Sequence, residues 1–293
     1  MAFTDRAAAL AAAADAIRSA ERITAICHQT PDADTIGGAA AVALVAQRLG
    51  KAAEIVSADR PAPMFDFLEG IADSRRAPEL EPDLAVICDA ATLERVGRIA
   101  TDQADWFRRA RVLNVDHHVS NDGFGDVNLV DPTAAATCQV LAELVAELGV
   151  PLDAPLATAL LTGIVRDSQG FSDPSTSPRT LRLAAQLVEA GASIADIHRT
   201  VLMELPFPTM ALWGRMLAGA GERAGGRIVY ATLTQEMLDQ TGTQQHDADG
   251  LAEFLARAKD ARVTLLLREI GPSSTRVSVR TDGVDATGIA SPF

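Results

Sequence analysis

Residues 112–121 read Val-Leu-Asn-Val-Asp-His-His-Val-Ser-Asn, and no other stretch constrains the fold as strongly. An apolar run leads directly into Asp116, His117 and His118, and polarity then stays high. The pattern predicts a buried strand that releases one carboxylate and two imidazoles at a sheet edge. In open α/β sheets, ligands bind at the carboxyl ends of the strands. A histidine pair behind an aspartate offers two metal ligands and a group to orient them. Alone, the triplet is equally compatible with a polar loop.

Three other stretches shift that balance. Residues 22–27 form a short apolar strand, followed by His28-Gln-Thr-Pro-Asp-Ala-Asp34. Pro31 is expected to hold Thr30 in an extended conformation. Thr35-Ile-Gly-Gly then opens a helix expected to run to Leu49, with Gly50 as its stop signal. His28, Asp32 and Asp34 therefore fall on a strand-to-helix turn. A cap needs one aspartate, whereas a histidine with two crowded carboxylates calls for a cation. Residues 84–88 are a continuous apolar run, as in a central parallel strand, and end in Asp89. Residues 162–171 end a helix with Asp167, which alone is an ordinary helix-end residue. Cys27 and Cys88 precede candidate ligands, so strand alternation turns them away, into the core.

A chain of 293 residues is long enough for two domains. Strands alternating with helices over residues 22–190 indicate an α/β fold with a doubly wound parallel sheet. Further helices are expected over 5–19, 101–110, 132–148, 155–165 and 178–190, with a short one at 64–70. Residues 192–210 read as helical too. Beyond them, 216–223 and 227–233 flank Ala224-Gly-Gly226, a hairpin signal. A helix at 247–258 and a second hairpin over 262–270 and 275–280 complete a smaller mixed α+β domain. The expected boundaries are 1–190 for the first domain, 191–210 for a helical connector and 211–293 for the second domain.

Composition excludes some partners. A formal net charge of −13 argues against gripping long duplex nucleic acid. Aromatic residues make up only 4%, which disfavours extensive base stacking. Neither excludes a short phosphate ester, because bound metal ions supply positive charge locally. Three cysteines without a C-x-x-C pair fit a reducing compartment. No targeting segment and no long apolar run are visible, so the expectation is a cytoplasmic protein with no membrane partner. His198 and His246 lack neighbours of ligand type and read as surface or capping residues.

His28, Asp32, Asp34, Asp89, Asp116, His117, His118 and Asp167 are thus expected to converge on one sheet edge. Two imidazoles and four carboxylates suit divalent manganese, with magnesium, cobalt or zinc as alternatives. The set is too large for one small ion but suits two ions about 3.5–4 Å apart, which activate water for in-line attack on phosphorus.

The stretches His28-x-x-x-Asp32-x-Asp34, 84–89, Asp116-His117-His118 and Gly163-Ile-Val-Arg-Asp167 together resemble the four motifs of the DHH phosphoesterases. The nearest branch is similar to the NrnA-type oligoribonucleases and phosphoadenosine-phosphate (pAp) phosphatases, a group that includes cyclic-di-AMP and pApA phosphodiesterases. The resemblance implies a metal-dependent phosphoesterase acting on short single-stranded oligonucleotides or nucleotide phosphates. It implies His28, Asp32 and Asp167 on one metal, Asp34 and His117 on the other, and Asp89 bridging both. It places His118 on the substrate phosphate with Asp116 behind it, and Ser278 and Arg280 of a DHH-associated second domain on the substrate across a cleft. Members are often dimers, so a homodimer is among the implied states. They also carry a Gly-Gly-Gly-His segment where this sequence reaches Phe293, so the second domain is expected to be cut short there, which bears on substrate affinity. The alternatives are a cyclic-dinucleotide phosphodiesterase and a catalytically weak nucleotide-binding module. An inorganic pyrophosphatase of the superfamily would carry several C-terminal basic residues, whereas Lys259 is the only lysine beyond Lys51.

Overall fold

A computed structural model describes residues 5–283, which form two compact units divided between Glu204 and Leu205. The first unit begins with helix α1 (Arg6–Ser19), whose N-terminal Ala7 amide is capped by Asp5. Strand β1 (Arg22–Cys27), helix α2 (Ala33–Arg48) and strand β2 (Ala52–Ser57) follow. Next come strand β3 (Leu84–Cys88), the short helices α3 (Arg98–Asp102) and α4 (Ala104–Phe107), and strands β4 (Arg111–Asp116) and β5 (Val127–Val130). Helices α5 (Thr137–Leu148), α6 (Ala154–Asp167), α7 (Pro178–Glu189) and α8 (Ile194–His198) complete the unit.

The five strands are all parallel, in the order β2-β1-β3-β4-β5. From β1 the chain passes to β2 on one side and then to β3 on the other, so the switch point lies between β1 and β3, where such sheets place ligands. The register aligns Cys27 with Cys88 and Cys88 with Val115. The residues that follow, His28, Asp89 and Asp116, therefore stand in one row at the carboxyl edge. One apolar cluster packs α1, α2, α5 and α6 on one face, and a second, with Ile99, Trp106 and Phe107, covers the other. The fold is the expected doubly wound α/β sheet.

Some elements differ from expectation. Helix α2 begins at Ala33 rather than Thr35, because Asp32 Oδ1 accepts the amides of Asp34 (3.0 Å) and Thr35 (3.3 Å). Asp34 thus enters the first helical turn. The helix expected from residue 132 starts only at Thr137, since Asp131 binds the amide and hydroxyl of Thr133 in a turn. The 101–110 helix is two short pieces, and the 64–70 helix is a single 3-10 turn, Pro63–Phe65. The 192–210 stretch is not one helix: α8 runs into a π turn, Arg199–Met203, and the chain is extended at Glu204 and Pro206.

The second unit contains α9 (Phe207–Ala218), β6 (Gly221–Arg223), β7 (Ile228–Leu233), α10 (Gln235–Thr241), α11 (Leu251–Leu255), β8 (Val263–Gly271) and β9 (Ser274–Thr281). Both expected hairpins, β6/β7 and β8/β9, are present, and β7 pairs parallel to β8 to join them. Only 251–255 of the expected 247–258 helix is α-helical. Helices cover the face that carries Ala231, Leu233 and Leu266. Among the described residues, no helix is long and apolar enough to cross a membrane. The expected break after Phe293 adjoins residues 284–293, which lie outside the described residues.

Glycines bring α2, α5 and α6 close together. A Cβ on Gly37 would press on the Ala159 carbonyl, and one on Gly163 would collide with Asp34 Oδ1 and Cys138 Sγ. Backbone and a buried carboxylate cannot move aside as a flexible side chain would. Gly37→Ala and Gly163→Ala should therefore each cost about 1–3 kcal/mol in denaturant unfolding, as overpacked cores do. A Cβ on Gly214 of α9 meets nothing within 4 Å. Gly214→Ala should be neutral or stabilising by up to about 1 kcal/mol. Equal stability of Gly163→Ala and wild type would refute the close approach.

Candidate metal centre

The row of strand ends is joined by a hydroxyl. Thr35 Oγ1 accepts the His28 amide (3.1 Å) and donates to the Cys88 carbonyl (2.8 Å). It ties the exit of β1 to that of β3. Asp89, directly after β3, has φ of 64°, in the left-handed region. Aspartate tolerates this better than most residues, and such strain persists where surrounding contacts demand it. Here they are the Val115 carbonyl, which accepts the Asp89 amide, and Thr137 Oγ1, which donates to Asp89 Oδ1 at 2.9 Å.

Asp34 is fully buried. Its carboxylate accepts the amides of Thr137 (2.6 Å) and Cys138 (2.9 Å). Helix α5 starts after Ala136, which has no side chain to cap it. Asp34 supplies that cap from α2, matching a negative charge to amides that would otherwise be unpaired.

Three groups of donor atoms result, each with its atoms within 4.8 Å of one another. They are His28, Asp32 and Asp89; Asp34, His117 and Asp167; and Asp89, His117 and His118. Asp89 belongs to two groups, as a shared carboxylate would. At one point these groups differ from the partition implied by the resemblance. Asp167, at the end of α6, groups with Asp34 and His117 rather than with His28 and Asp32, and its Oδ2 lies 3.3 Å from His117 Nε2.

All three histidines are anchored through Nδ1. His28 Nδ1 donates to the Gln29 carbonyl (2.8 Å), His117 Nδ1 to the Ala134 carbonyl (3.3 Å) and His118 Nδ1 to Asp116 Oδ1 (2.8 Å). Carbonyl and carboxylate oxygens only accept, so each Nδ1 carries the proton and leaves Nε2 for a ligand. His28 Nε2 lies 3.5 Å from both Asp32 Oδ1 and Asp89 Oδ2. His117 Nε2 is buried without a hydrogen-bond partner, although Asp167 and Asp89 oxygens lie 3.3 and 3.5 Å away. An orphaned imidazole nitrogen among carboxylates is what a cation site presents without its ion, so these residues fit divalent metal.

Electrostatics point the same way. Burial lowers His28, but its hydrogen bonds with Asp32 and Asp89 outweigh this and raise it to about 10. Burial also lowers His117, and Asp167, Asp34 and Asp89 outweigh it, again raising the imidazole to about 10. Burial and then Asp167 and Asp89 push Asp34 upward. Asp167 is likewise raised by burial, with Asp89 and Asp32 adding to it. The cluster thus draws in positive charge, and a divalent ion can replace those protons.

Asp116 does different work. It is fully buried, accepts the His117 amide (2.8 Å) and Asn121 Nδ2 (2.6 Å), and holds His118, whose side chain is 46% exposed. Asp116 is the leading cause that raises His118. Sequence reasoning missed Thr35, Asn121, Ala134 and Thr137, none of which stands at a spacing that signals a role. The cysteines are free and buried, as expected. His198 and His246 join none of the donor groups.

Ser278 and Arg280 lie on β9 of the second unit, paired with Leu266 and Thr264 of β8. Arg280 Nε donates to Glu253 Oε1 of α11 at 2.9 Å.

The chain is similar to several known proteins. A model described as the DHH family, N-terminal domain, matches residues 22–164. The bifunctional oligoribonuclease and PAP phosphatase NrnA of Thermus thermophilus is 30% identical over 265 residues, covering 90% of this chain and 77% of that protein. The Bacillus subtilis protein of the same name is 24% identical over 269 residues, covering 91% and 83%. The crystal structure of an exopolyphosphatase-related protein from Bacteroides fragilis superposes with a TM-score of 0.87 at 19% identity, covering 98% of this chain and 87% of that one, which speaks for the fold.

Titration with Mn²⁺ should reveal about two equivalents per chain, as expected for paired-ion sites. Asp89→Ala should weaken both, because both ligand groups lose a member, whereas exposed Asp102→Ala should change neither. Unaltered stoichiometry and affinity in Asp89→Ala would rule out a shared carboxylate.

Proposed function

The chain belongs to the DHH family, and from that premise we propose that it is a metal-dependent phosphoesterase hydrolysing short oligoribonucleotides, pApA and pAp. One observation carries this reading: His117 Nε2 is buried and unpartnered where two of the three donor groups meet, beside a partly exposed His118. The similarity to NrnA proteins over 90–91% of this chain and 77–83% of theirs supports the substrate class.

His28 and Asp32 would hold one ion and Asp34, His117 and Asp167 the other, with Asp89 common to both. Manganese is the proposed ion, with magnesium, cobalt and zinc as alternatives. When bound, such ions supply positive charge to phosphate oxygens and acidify water. The chain's own residues do the rest. Asp116 keeps the His118 Nδ1 proton in place, which leaves Nε2 to donate to a phosphate oxygen. Because Asp116 raises His118 above its ordinary value, the imidazolium form is favoured, and it stabilises charge gathering on the phosphoryl group. Ser278 and Arg280 are proposed to bind the substrate. A phosphate must compete with Glu253 for the Arg280 guanidinium. The charge of −13 disfavours long polyanions and leaves short ones as substrates.

The test is a side-by-side turnover panel of pApA, pAp, a short RNA and cyclic-di-AMP with Mn²⁺, before and after chelation. Hydrolysis of the first three, lost with chelator, is expected. Failure on all four and on a chromogenic phosphodiester would sink the reading, and a preference for cyclic-di-AMP would redirect it.

Two variants should fail differently. His118→Ala should keep its metal and lose about 10²–10³ in kcat, the scale of removing one charge-stabilising donor. Arg280→Ala should mainly raise KM, because a guanidinium that only binds substrate holds substrate and transition state alike. Loss of metal in His118→Ala, with an unchanged KM in Arg280→Ala, would defeat this division.

A further inference from the structure

We propose that Arg179 and Thr180, at the start of α7, are positioning residues that set the metal centre through the segment 131–138, an inference that rests on the metal-dependent reading above. That segment contains no proposed ligand, yet it touches three of them. The Ala134 carbonyl accepts the His117 Nδ1–H (3.3 Å), Thr137 Oγ1 donates to Asp89 (2.9 Å), and the Thr137 and Cys138 amides hold Asp34. Whatever fixes 131–138 therefore fixes the rotation of one imidazole and the placement of two carboxylates.

Residues 131–136 are irregular, and the first turn of α5 lacks a side-chain cap of its own. Besides its own Asp131–Thr133 turn and the Arg6 contacts to Asp131 and Glu143, the segment is fastened from α7. Asp131, only 5% exposed, accepts Arg179 Nη1 at 2.8 Å on Oδ2, an oxygen shared with Arg6 Nε at 3.0 Å. Asp131 in turn donates its amide to the Asp116 carbonyl and accepts the Ala134 amide, both at 3.0 Å. At the other end, Gln139 Oε1 accepts the Ala135 amide (3.1 Å) and Thr180 Oγ1 (2.9 Å). Thr180 is oriented by its capping box with Ser177. Arg179 also pairs with Glu143 of α5, so one guanidinium grips both the turn and the helix.

Removing Arg179 leaves the buried Asp131 short of a partner, and removing the Thr180 hydroxyl leaves Gln139 free to release Ala135. Either change lets the Ala134 carbonyl move and loosens His117. Groups that orient metal ligands from behind typically contribute 10–100-fold in metal affinity. Neither residue is placed on the substrate, so substrate binding should be spared.

Mn²⁺ binding, followed by the EPR signal of the free ion, tests this in Arg179→Met and Thr180→Val, which keep much of the side-chain volume. Circular dichroism checks the fold, and Thr180→Val serves if Arg179→Met does not fold. Trp106→Phe is the control for stability, since its indole bonds Leu80 in the apolar cluster on the opposite face of the sheet. Both test variants should lose about 10–100-fold in Mn²⁺ affinity and lose kcat at saturating Mn²⁺ with KM unchanged. Thr180→Ser should restore both, and Trp106→Phe should lower only the unfolding midpoint. Mn²⁺ affinity within about twofold of wild type in both test variants, well short of that range, or an equal loss in Trp106→Phe, would overturn the proposal. A wild-type protein that binds no Mn²⁺ would overturn the preceding reading together with this one, a result distinct from retained binding in the variants.

Discussion

A fully buried carboxylate with both oxygens on helix amides is the interaction on which the first unit depends. Asp34 on α2 takes the Thr137 and Cys138 amides of α5. Burying that charge is tolerable only because two N–H groups with a helix dipole behind them replace its hydration. The contact needs α2, α5 and α6 to approach more closely than most side chains allow. Gly37 and Gly163 provide that approach, since a Cβ at either would meet backbone or Asp34 itself. Helix packing and the donor cluster are therefore two aspects of one arrangement.

The same packing concentrates negative charge. Asp34, Asp89 and Asp167 crowd a small volume with two imidazoles and the more exposed Asp32. Without a cation, burial and then mutual repulsion push Asp34 and Asp167 towards protonation, while the carboxylates outweigh burial and raise His28 and His117. Such a cluster opposes folding unless positive charge enters it, so divalent ions would contribute to stability as well as to chemistry.

Three histidines meet one problem in three ways. Each must present Nε2, and each does so by donating a hydrogen bond from Nδ1–H, His28 to its own turn, His117 to the segment before α5 and His118 to Asp116. Surroundings then separate the rings. His28 and His117 turn Nε2 towards buried carboxylates that a metal would share, whereas His118 is backed by Asp116 and half-exposed, which suits a phosphate. His117 and His118 are adjacent in sequence, and their partners and exposure separate the roles proposed for them.

How much of this was legible in the sequence follows from what is local. Strands β1, β3 and β4 could be read from short apolar runs, and His28, Asp89 and Asp116 were visible as the polar residues at their carboxyl ends. Because parallel strands in register end together, that reading already implied a shared edge. Both hairpins of the second unit were likewise local, and Ser278 and Arg280 could be named from the resemblance, although no local signal showed that Arg280 would pair with Glu253. The parallel pairing of β7 with β8 was not legible, because it joins segments separated by α10 and α11. Nor was the grouping of Asp167 with Asp34 and His117, which depends on where α6 crosses α2. The cap that Asp34 supplies to α5 spans 103 residues and leaves no trace in spacing. The sequence by itself determined which residues stand at the sheet edge, because alternation and strand ends are properties of neighbours along the chain. Tertiary structure alone decided which of them meet, because glycine-mediated helix contacts and the irregular 131–136 segment arise only when distant segments pack.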